Sequence, residues 1–174
     1  TSSMPTGMLG ASTDSPYSGA DTVDIYIRGV GAHGASPHRG IDPIVLGSQI
    51  VLGLQTLVSR NLPPRRPGVI TVGAFHSGTK HNIISDAAHL QLTVRSESPE
   101  DRKLLLDGIR RVSLNMGRVA GLPDDLLPKV VVSEESVPPT LNNDMLTMRI
   151  IDTWHEYFGD GILFIGDRLG MGAE

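Results

Sequence analysis

Two short polar segments contain the side chains best suited to chemistry. Residues 29–40 read GVGAHGASPHRG and carry His33 and His38 among glycine and proline. Residues 76–88 read HSGTKHNIISDAA. The polar and glycine positions that draw attention there are Ser77, Gly78, Thr79, His81 and Asn82. Glycine lets the backbone approach a ligand closely, and an imidazole can donate a hydrogen bond to a developing oxyanion.

The alternative interpretation is that both segments are ordinary surface loops. A single histidine in a loop usually has no catalytic role. Here Gly, His and Asn cluster where no strand or helix requires them, which favours a functional site. The residues alone leave both interpretations open.

A metal site within this chain is not predicted. His33 and His38 are five positions apart, so they lack the i, i+4 spacing of a helical zinc pair. No acidic residue lies close enough in sequence to complete a ligand set. The stretch GVGAHG has the spacing G-x-G-x-x-G, but it leads into His and Pro instead of a helix, so a dinucleotide site is not expected. The chain also has no cysteine, which excludes disulfides and thiol nucleophiles.

Composition and charge narrow the class of partner. The formal net charge of -4 gives no attraction to a phosphate backbone, so nucleic acid is not expected as a partner. No stretch approaches the roughly 20 apolar residues that cross a bilayer, so no membrane partner is expected either. Residues 1–10 lack the charged and apolar regions of a signal peptide. The sequence leaves the compartment, cytoplasmic or periplasmic, undetermined.

Four strands are predicted from alternating apolar residues. Val23, Ile25 and Ile27 begin the regular structure, after a Ser-, Thr-, Gly- and Pro-rich start. The second strand is Val69–Phe75, with Ile70, Val72 and Ala74 expected on one face. The other two are His89–Arg95, with Leu90, Leu92 and Val94 inward, and Val130–Val132.

Two helices are predicted between these strands. In the first, Asp42 is the cap and Pro43 the first helical residue. In the second, Ser98 is the cap and Pro99 the first helical residue. The expected core-facing stripes are Leu46, Ile50, Leu54, Leu57 and Val58 in the first helix, and Leu105, Ile109, Val112, Met116 and Val119 in the second.

The resulting order β-α-β-β-α-β predicts an α+β, ferredoxin-like sandwich. Two helices would cover one face of a four-stranded antiparallel sheet. This unit is expected to span residues 23–137. Residues 1–22 are expected to be a linker. Residues 138–174, with a helix at Asn143–Phe158 and a short strand at Gly161–Ile165, are expected to begin another unit.

Three motifs in the right order resemble the M20 peptidase family, in its hippurate hydrolase and auxin-conjugate hydrolase branch. They are GVGAHGASPHRGIDPI, VGAFHSGTKHNIISD, and LQLTVRS with the SPEDRK helix that follows. The likeness runs from about Met4 to the end. Ala32 stands where the family usually has Gly, and Ser85 where it usually has Pro, which should loosen a loop more than remove a function.

The resemblance implies a two-domain enzyme that cleaves N-acyl amino acids. Its larger catalytic domain holds divalent metals (zinc, manganese or similar), and its ferredoxin-like lid forms a homodimer through an edge strand and a helix. PTGMLG would lead into the lid, and the closing GMGAE would return to the catalytic domain. The metal-binding motifs and the general base of that domain are not in this sequence, so the chain alone is expected to carry no cofactor and not to hydrolyse amides.

The resemblance also assigns roles to lid residues. His33 matches the histidine that reaches across the dimer to stabilise the oxyanion, with His38 as second choice. Asn82 and the Gly78–Thr79 turn match a segment that contacts the substrate carboxylate.

Two alternative hypotheses give the chain a different function. The chain could be a free-standing ferredoxin-like module that binds a ligand or forms oligomers, such as an amino-acid sensor. An RNA-binding sheet would need exposed aromatic and basic side chains on its strands, and the sequence is not expected to provide them.

Overall fold

A computed structural model describes residues 6–12, 16–159, 161 and 163–165 of the chain. Within these residues, the strands are β1 (Leu9–Ala11), β2 (Gly19–Arg28), β3 (Ala32–His33), β4 (Gly68–Ser77), β5 (Ile83–Ile84), β6 (Ala87–Ser96), β7 (Lys129–Val137) and β8 (Leu163–Ile165). The α-helices are α1 (Pro43–Thr56), α2 (Pro99–Val119) and α3 (Asp144–Phe158). None of the described helices is long and apolar enough to span a membrane.

The central sheet has the strand order β4-β6-β2-β7, and all its neighbours run antiparallel. Helices α1 and α2 pack against each other and against this sheet. This confirms the predicted α+β, ferredoxin-like arrangement. The two edge strands are β4 and β7, so α1 lies nearer one edge and α2 nearer the other.

The core lies between the sheet and the two helices. Alternate residues of β2 and β6 are buried there, as period-2 patterning requires. The predicted inward residues Val23, Ile25, Leu90, Leu92 and Val94 are all in this cluster. The opposite face of the sheet carries polar side chains and no helix of the β-α-β-β-α-β unit; we call it the open face.

Both predicted caps of the central helices are present. The Asp42 carboxylate accepts hydrogen bonds from the N–H groups of Ile44 and Val45 at 2.8 and 3.4 Å. The Ser98 hydroxyl accepts from the Asp101 N–H at 3.1 Å. These bonds satisfy main-chain donors that have no partner within the helix, which explains why each helix begins where the sequence indicated.

The end of α1 agrees with the sequence prediction, but the last position of the apolar stripe of α2 does not. Helix α1 continues through a π-helical turn at Leu57–Asn61, so Leu57 still reaches the core. The prediction that Val119 completes the apolar stripe of α2 was wrong, because Val119 is 77% exposed. The neighbouring Ala120 packs against the core instead, which leaves Val119 on the solvent side of the last turn.

The prediction that Ala74 shares a face with Ile70 and Val72 was also wrong. The register of β4 against β6 shifts between Val72 and Ala74. Val72 pairs with Leu92, but Ala74 then pairs with Gln91 on the open face. An extra residue in one strand reverses the facing of everything beyond it. The ring of Phe75 therefore lies on the helix side of the sheet and packs against α1 at Gly47. A side-chain carbon on Gly47 would lie 2.6 Å from the ring.

The segments that flank the central unit join each other, which the sequence did not predict. Regular structure begins before Val23, because β2 starts at Gly19 and β1 precedes it. Strand β1 pairs with β8 in parallel, and the side chain of Asn142 donates to the Ser12 carbonyl at 2.9 Å. The predicted third helix is confirmed as α3, capped by Asn143. The GMGAE segment lies outside the described residues.

One ion pair ties α2 to the sheet. The guanidinium of Arg102 donates to both carboxylate oxygens of Asp21 on β2, at distances of 2.7 to 3.1 Å. This hydrogen bonding raises the pKa of Arg102 further above its ordinary value, against the opposing effect of burial. The Asp21 side chain is only 2% exposed, whereas Arg102 remains 43% exposed. The buried carboxylate therefore depends on Arg102 for its compensation.

Candidate functional site

The structure brings the two polar segments together at one end of the sheet. Strands β3 and β5 pair antiparallel, with Ala32 opposite Ile84 and His33 opposite Ile83. The Gly34 N–H donates to the Asn82 carbonyl at 2.8 Å, which extends the contact beyond the paired residues. A side-chain carbon on Gly34 would lie 3.0 Å from that carbonyl oxygen, so this close approach needs glycine. Segments about 50 residues apart in sequence thus form one surface.

His33 is held in one tautomer by a main-chain contact. Its ring Nδ1 accepts a hydrogen bond from the Ala35 N–H at 3.1 Å. In a neutral imidazole only one nitrogen accepts, so the proton lies on Nε2. The residue is exposed on the short strand β3. His33 therefore presents an N–H donor at the surface, fixed in direction by its own backbone.

Gly78 and Thr79 form the turn that follows β4. Gly78 has φ of +74°, a conformation that favours glycine over residues with a side chain. Thr79 lines a cleft of about 480 Å³ together with His33, Ile83 and Ile84. The cleft combines apolar side chains with a few polar groups, as small-molecule sites do.

Asn82 and His38 are placed differently. The main-chain carbonyl of Asn82 is used by Gly34, and its side chain is exposed. His38 lies in the short 3-10 turn Pro37–Arg39, also exposed, and does not line the cleft of His33. The structure thus brings His33 and Thr79 to one cleft, places Asn82 beside it through the backbone, and leaves His38 apart.

Ser85 stands where the family motif usually has proline, and hydrogen bonds hold the turn at this position. Its hydroxyl donates to the Ala87 carbonyl at 3.0 Å and accepts from the Ala87 N–H at 3.3 Å. The Ser77 hydroxyl donates to the same carbonyl at 2.6 Å. These bonds restrict the turn by hydrogen bonding where a proline would restrict it by its ring. The expected loosening at this position is therefore offset.

Metal ligands do not assemble in this part of the protein. Among the described residues, no group of three or more His, Asp or Glu side chains could hold a metal ion. His89, the histidine on the sheet nearest to a carboxylate, already contacts Asp24 at 2.6 Å. A divalent metal needs three or four such ligands. The residues described here do not fit a metal, and no chemical step is assigned to one.

Arg95 of β6 is a polar residue that no motif in the sequence singles out. It lies on the open face of β6, opposite Ala20 of β2 and Val69 of β4. One of its guanidinium nitrogens, Nη1, is buried and has no hydrogen-bond partner in the described part of the chain. Buried donors are normally satisfied, so Arg95 is an exception among the described residues. No local sequence signal could have shown this burial.

Comparison with known proteins agrees with the motifs. Residues 18–116 match the family described as "Peptidase dimerisation domain". The chain is 32% identical over 155 residues to hippurate hydrolase of Campylobacter jejuni, covering 89% of this chain and 39% of that protein. It is 34% identical over 151 residues to N-acetyl-L-cysteine deacetylase of Bacillus subtilis, covering 86% and 35%.

A solved structure shows the same fold. The crystal structure of an aminohydrolase from methicillin resistant Staphylococcus aureus superimposes with a TM-score of 0.77 at 27% identity, covering 97% of this chain and 43% of that one. The chain thus spans well under half the length of the proteins it matches. By its dimerisation domain, its motifs and its fold, the chain belongs to the M20 peptidase family.

Proposed function

We propose that this chain is the lid and dimerisation part of a metal-dependent amidohydrolase that cleaves N-acyl amino acids. Family membership supports the general class, and the hydrolase and deacetylase names of the relatives support amide substrates. The divalent metal and the general base belong, in this proposal, to the catalytic domain outside this chain. The lid begins at Gly19, and not at residue 23, because β2 starts there, and it ends at Val137 with β7. The segments on either side of it belong to the catalytic domain in this proposal.

The pairing of the two flanking segments supports this domain division. The chain enters and leaves the central unit side by side, because a side-chain carbon on Gly19 would lie 3.0 Å from the Val137 carbonyl. The Thr140 N–H donates to the Tyr17 carbonyl at 3.1 Å just outside it. Adjacent entry and exit points are what an inserted domain needs, since they leave the host domain's chain path undisturbed.

The homodimer is proposed to form through the β4 edge and α1. Strand β4 is an edge strand, and neither β4 nor α1 contains an Asp, Glu, Lys or Arg residue. Ile44, Val45 and Leu52 are exposed on α1. An uncharged edge beside an apolar helix face is a template for pairing with a second copy. A second lid related by two-fold symmetry would extend the sheet and cover these side chains.

The tautomer of His33 is the observation on which the proposed catalytic role depends. With Nδ1 accepting from Ala35, the Nε2–H is free to donate to the oxyanion of a tetrahedral intermediate in the partner subunit's active site. Such a donor acts best when its direction is fixed before the reaction begins. The turn that follows His33 fixes this direction from within the lid. His38 is the second choice, because it lies apart from this cleft.

The substrate carboxylate is proposed to bind at Asn82 and the Gly78–Thr79 turn. The Asn82 amide and the Thr79 hydroxyl are uncharged groups that can donate to a carboxylate. Both lie at the same end of the sheet as His33. The alternative, a free-standing ligand-binding or oligomerisation module, predicts the same fold but no role for the His33 N–H in hydrolysis.

Substitution of His33 in the full-length parent tests the proposed oxyanion role. His33→Ala should lower kcat about 100- to 1000-fold with little change in KM, since one oxyanion donor is removed. His81→Ala, an exposed histidine in the neighbouring loop, is the matched control and should retain activity.

The trans arrangement is tested by mixing two inactive variants. Heterodimers of His33→Ala with a subunit that lacks its general base should regain activity, because the intact base then faces an intact His33. Normal turnover in His33→Ala would contradict the oxyanion role. A mixture that forms heterodimers but stays inactive would contradict action across the dimer.

A further inference from the structure

A row of four side chains crosses the open face near the end where β2 leaves the sheet. His76 of β4 pairs with His89 of β6, His89 pairs with Tyr26 of β2, and Tyr26 pairs with Lys129 of β7. Directly opposed residues on one face of a sheet are neighbours in space. Arg28 lies two residues beyond Tyr26 on the same face, diagonal to Lys129.

The centre of this row is a stacked aromatic pair. The rings of Tyr26 and His89 lie parallel, with centroids 4.5 Å apart and an interplanar angle of 5°. The Asp24 carboxylate contacts His89 Nε2 at 2.6 Å, which fixes the imidazole in place. Tyr26 nevertheless remains 46% exposed. A large, half-exposed aromatic ring in a fixed orientation is a platform on which a planar group can pack.

A cleft of about 650 Å³ opens beside this pair, larger than the cleft at His33. Ala87 and Leu127 contribute apolar lining. Arg28 and Lys129 are at its rim, and in the described part of the chain neither forms an ion pair. The one carboxylate in the lining is Asp125. Two cations and one carboxylate leave a formal charge of about +1 in a concave, partly apolar site.

We infer that this cleft is a second ligand site, which binds a small aromatic carboxylate. The single net positive charge matches a monoanion better than a phosphate dianion. Arg28 and Lys129 bind the carboxylate by charge-assisted hydrogen bonds, and the planar group packs on Tyr26. The site is separate from the proposed His33 cleft, which shares none of these lining residues, so it stands whether or not the proposed function holds.

Titration of the 174-residue chain with benzoate, followed by ¹H–¹⁵N NMR, tests this inference. Benzoate should shift the amide resonances of Arg28, His89 and Lys129, with a dissociation constant of roughly 1 mM, typical for a ligand of this size. Acetate lacks the ring and benzamide lacks the charge, so each should bind at least about tenfold more weakly. Equal binding of benzamide would overturn the role of the cations, and tighter binding of phenyl phosphate would overturn the monoanion assignment.

Variants distinguish binding in this cleft from non-specific attraction of benzoate to surface charge. Arg28→Gln, Lys129→Gln and Tyr26→Leu should each weaken benzoate binding about tenfold. Arg110→Gln removes a cation from α2 outside the cleft and should leave affinity unchanged. Asp125→Asn should tighten binding several-fold, because a like charge is removed. Weaker binding by Asp125→Asn, or unchanged binding by all three cleft variants, would overturn the inference.

Discussion

The two edges of the central sheet are built from different kinds of side chain. At one edge, β4 and the overlying α1 contain no Asp, Glu, Lys or Arg. At the other edge, β7 carries Lys129, Glu134 and Glu135, and α2 is rich in charge throughout. Charged side chains on an edge strand discourage pairing with another sheet. The β7 edge therefore has the composition of a solvated edge, and the β4 edge has that of a contact surface.

The difference extends to how each helix is attached to the sheet. Helix α1 is held by apolar contacts, including Phe75 packed against the backbone at Gly47. Helix α2 shares the same core but adds the buried Asp21–Arg102 ion pair. The half of the domain with α2 thus uses a buried ion pair within the fold, whereas the half with α1 leaves apolar side chains exposed. This asymmetry is the expected design for a domain that meets a second copy on one side only.

The largest effect is expected from a charge placed on the apolar helix. Leu52→Glu should weaken lid dimerisation roughly 1000-fold, because two-fold symmetry removes two buried leucines worth about 4 kcal/mol together. Leu141→Glu, between β7 and α3, is the matched control, since Leu52 is 71% and Leu141 76% exposed. Sedimentation equilibrium of both variants measures the change. If the two variants dimerised equally well, the assignment of the interface to the α1 edge would be wrong.

A smaller effect is expected from breaking the ion pair under α2. Arg102→Ala should lower the free energy of unfolding by about 2 kcal/mol, because Asp21 would remain buried without compensation while Arg102 is itself partly solvated. Arg110→Ala should cost under about 0.5 kcal/mol. The two arginines are 43% and 46% exposed, but the partner Asp107 is 52% exposed where Asp21 is 2%.

Urea denaturation of the two arginine variants measures these losses. Both are measured at the same protein concentration, because dimerisation contributes to apparent stability. Equal losses of unfolding free energy in the two variants would show that burial of the carboxylate does not decide how much an ion pair contributes to stability.

The smallest effect is expected at Asp107 on the exposed face of α2. Its hydrogen bond from Lys103 lowers the pKa of the Asp107 carboxyl, with a further contribution from Arg110. A lowered folded-state pKa stabilises the fold above the unfolded value of about 3.9 and loses that contribution as pH falls through the folded value. Asp107→Asn should therefore melt slightly earlier than wild type at pH 7 and equally at pH 2. A larger difference in acid would contradict this sign.

Local sequence signals were sufficient for most of the fold. Asp42 with Pro43 and Ser98 with Pro99 predicted both central helix starts, because a cap is formed by residues adjacent in sequence. Alternation predicted the inward residues of β2 and β6 for the same reason. The errors came where distant contacts intervene. The bulge in β4 depends on its pairing with β6, and the packing of Ala120 instead of Val119 depends on how α2 lies against the core.

The candidate site divides in the same way. The residue types and the family motifs identified His33, Gly78, Thr79 and Asn82 from sequence, and the structure leaves their roles as proposals. The motif order indicated the family, and comparison confirmed it. The open-face row could not be found this way, because its members are spread over four strands and only sheet register makes them neighbours.

Short-range patterns of apolar, capping and glycine residues were enough to predict the three α-helices, the four strands of the central sheet and the family, but not the short strands β1, β3 and β5. Contacts between distant segments were needed for the joining of β1 to β8, for the cleft around His33 and for the cleft beside Tyr26. The physical reason is one of range. Propensity and capping act within a few residues, whereas pairing, burial and charge in a cleft depend on segments that only the folded chain brings together.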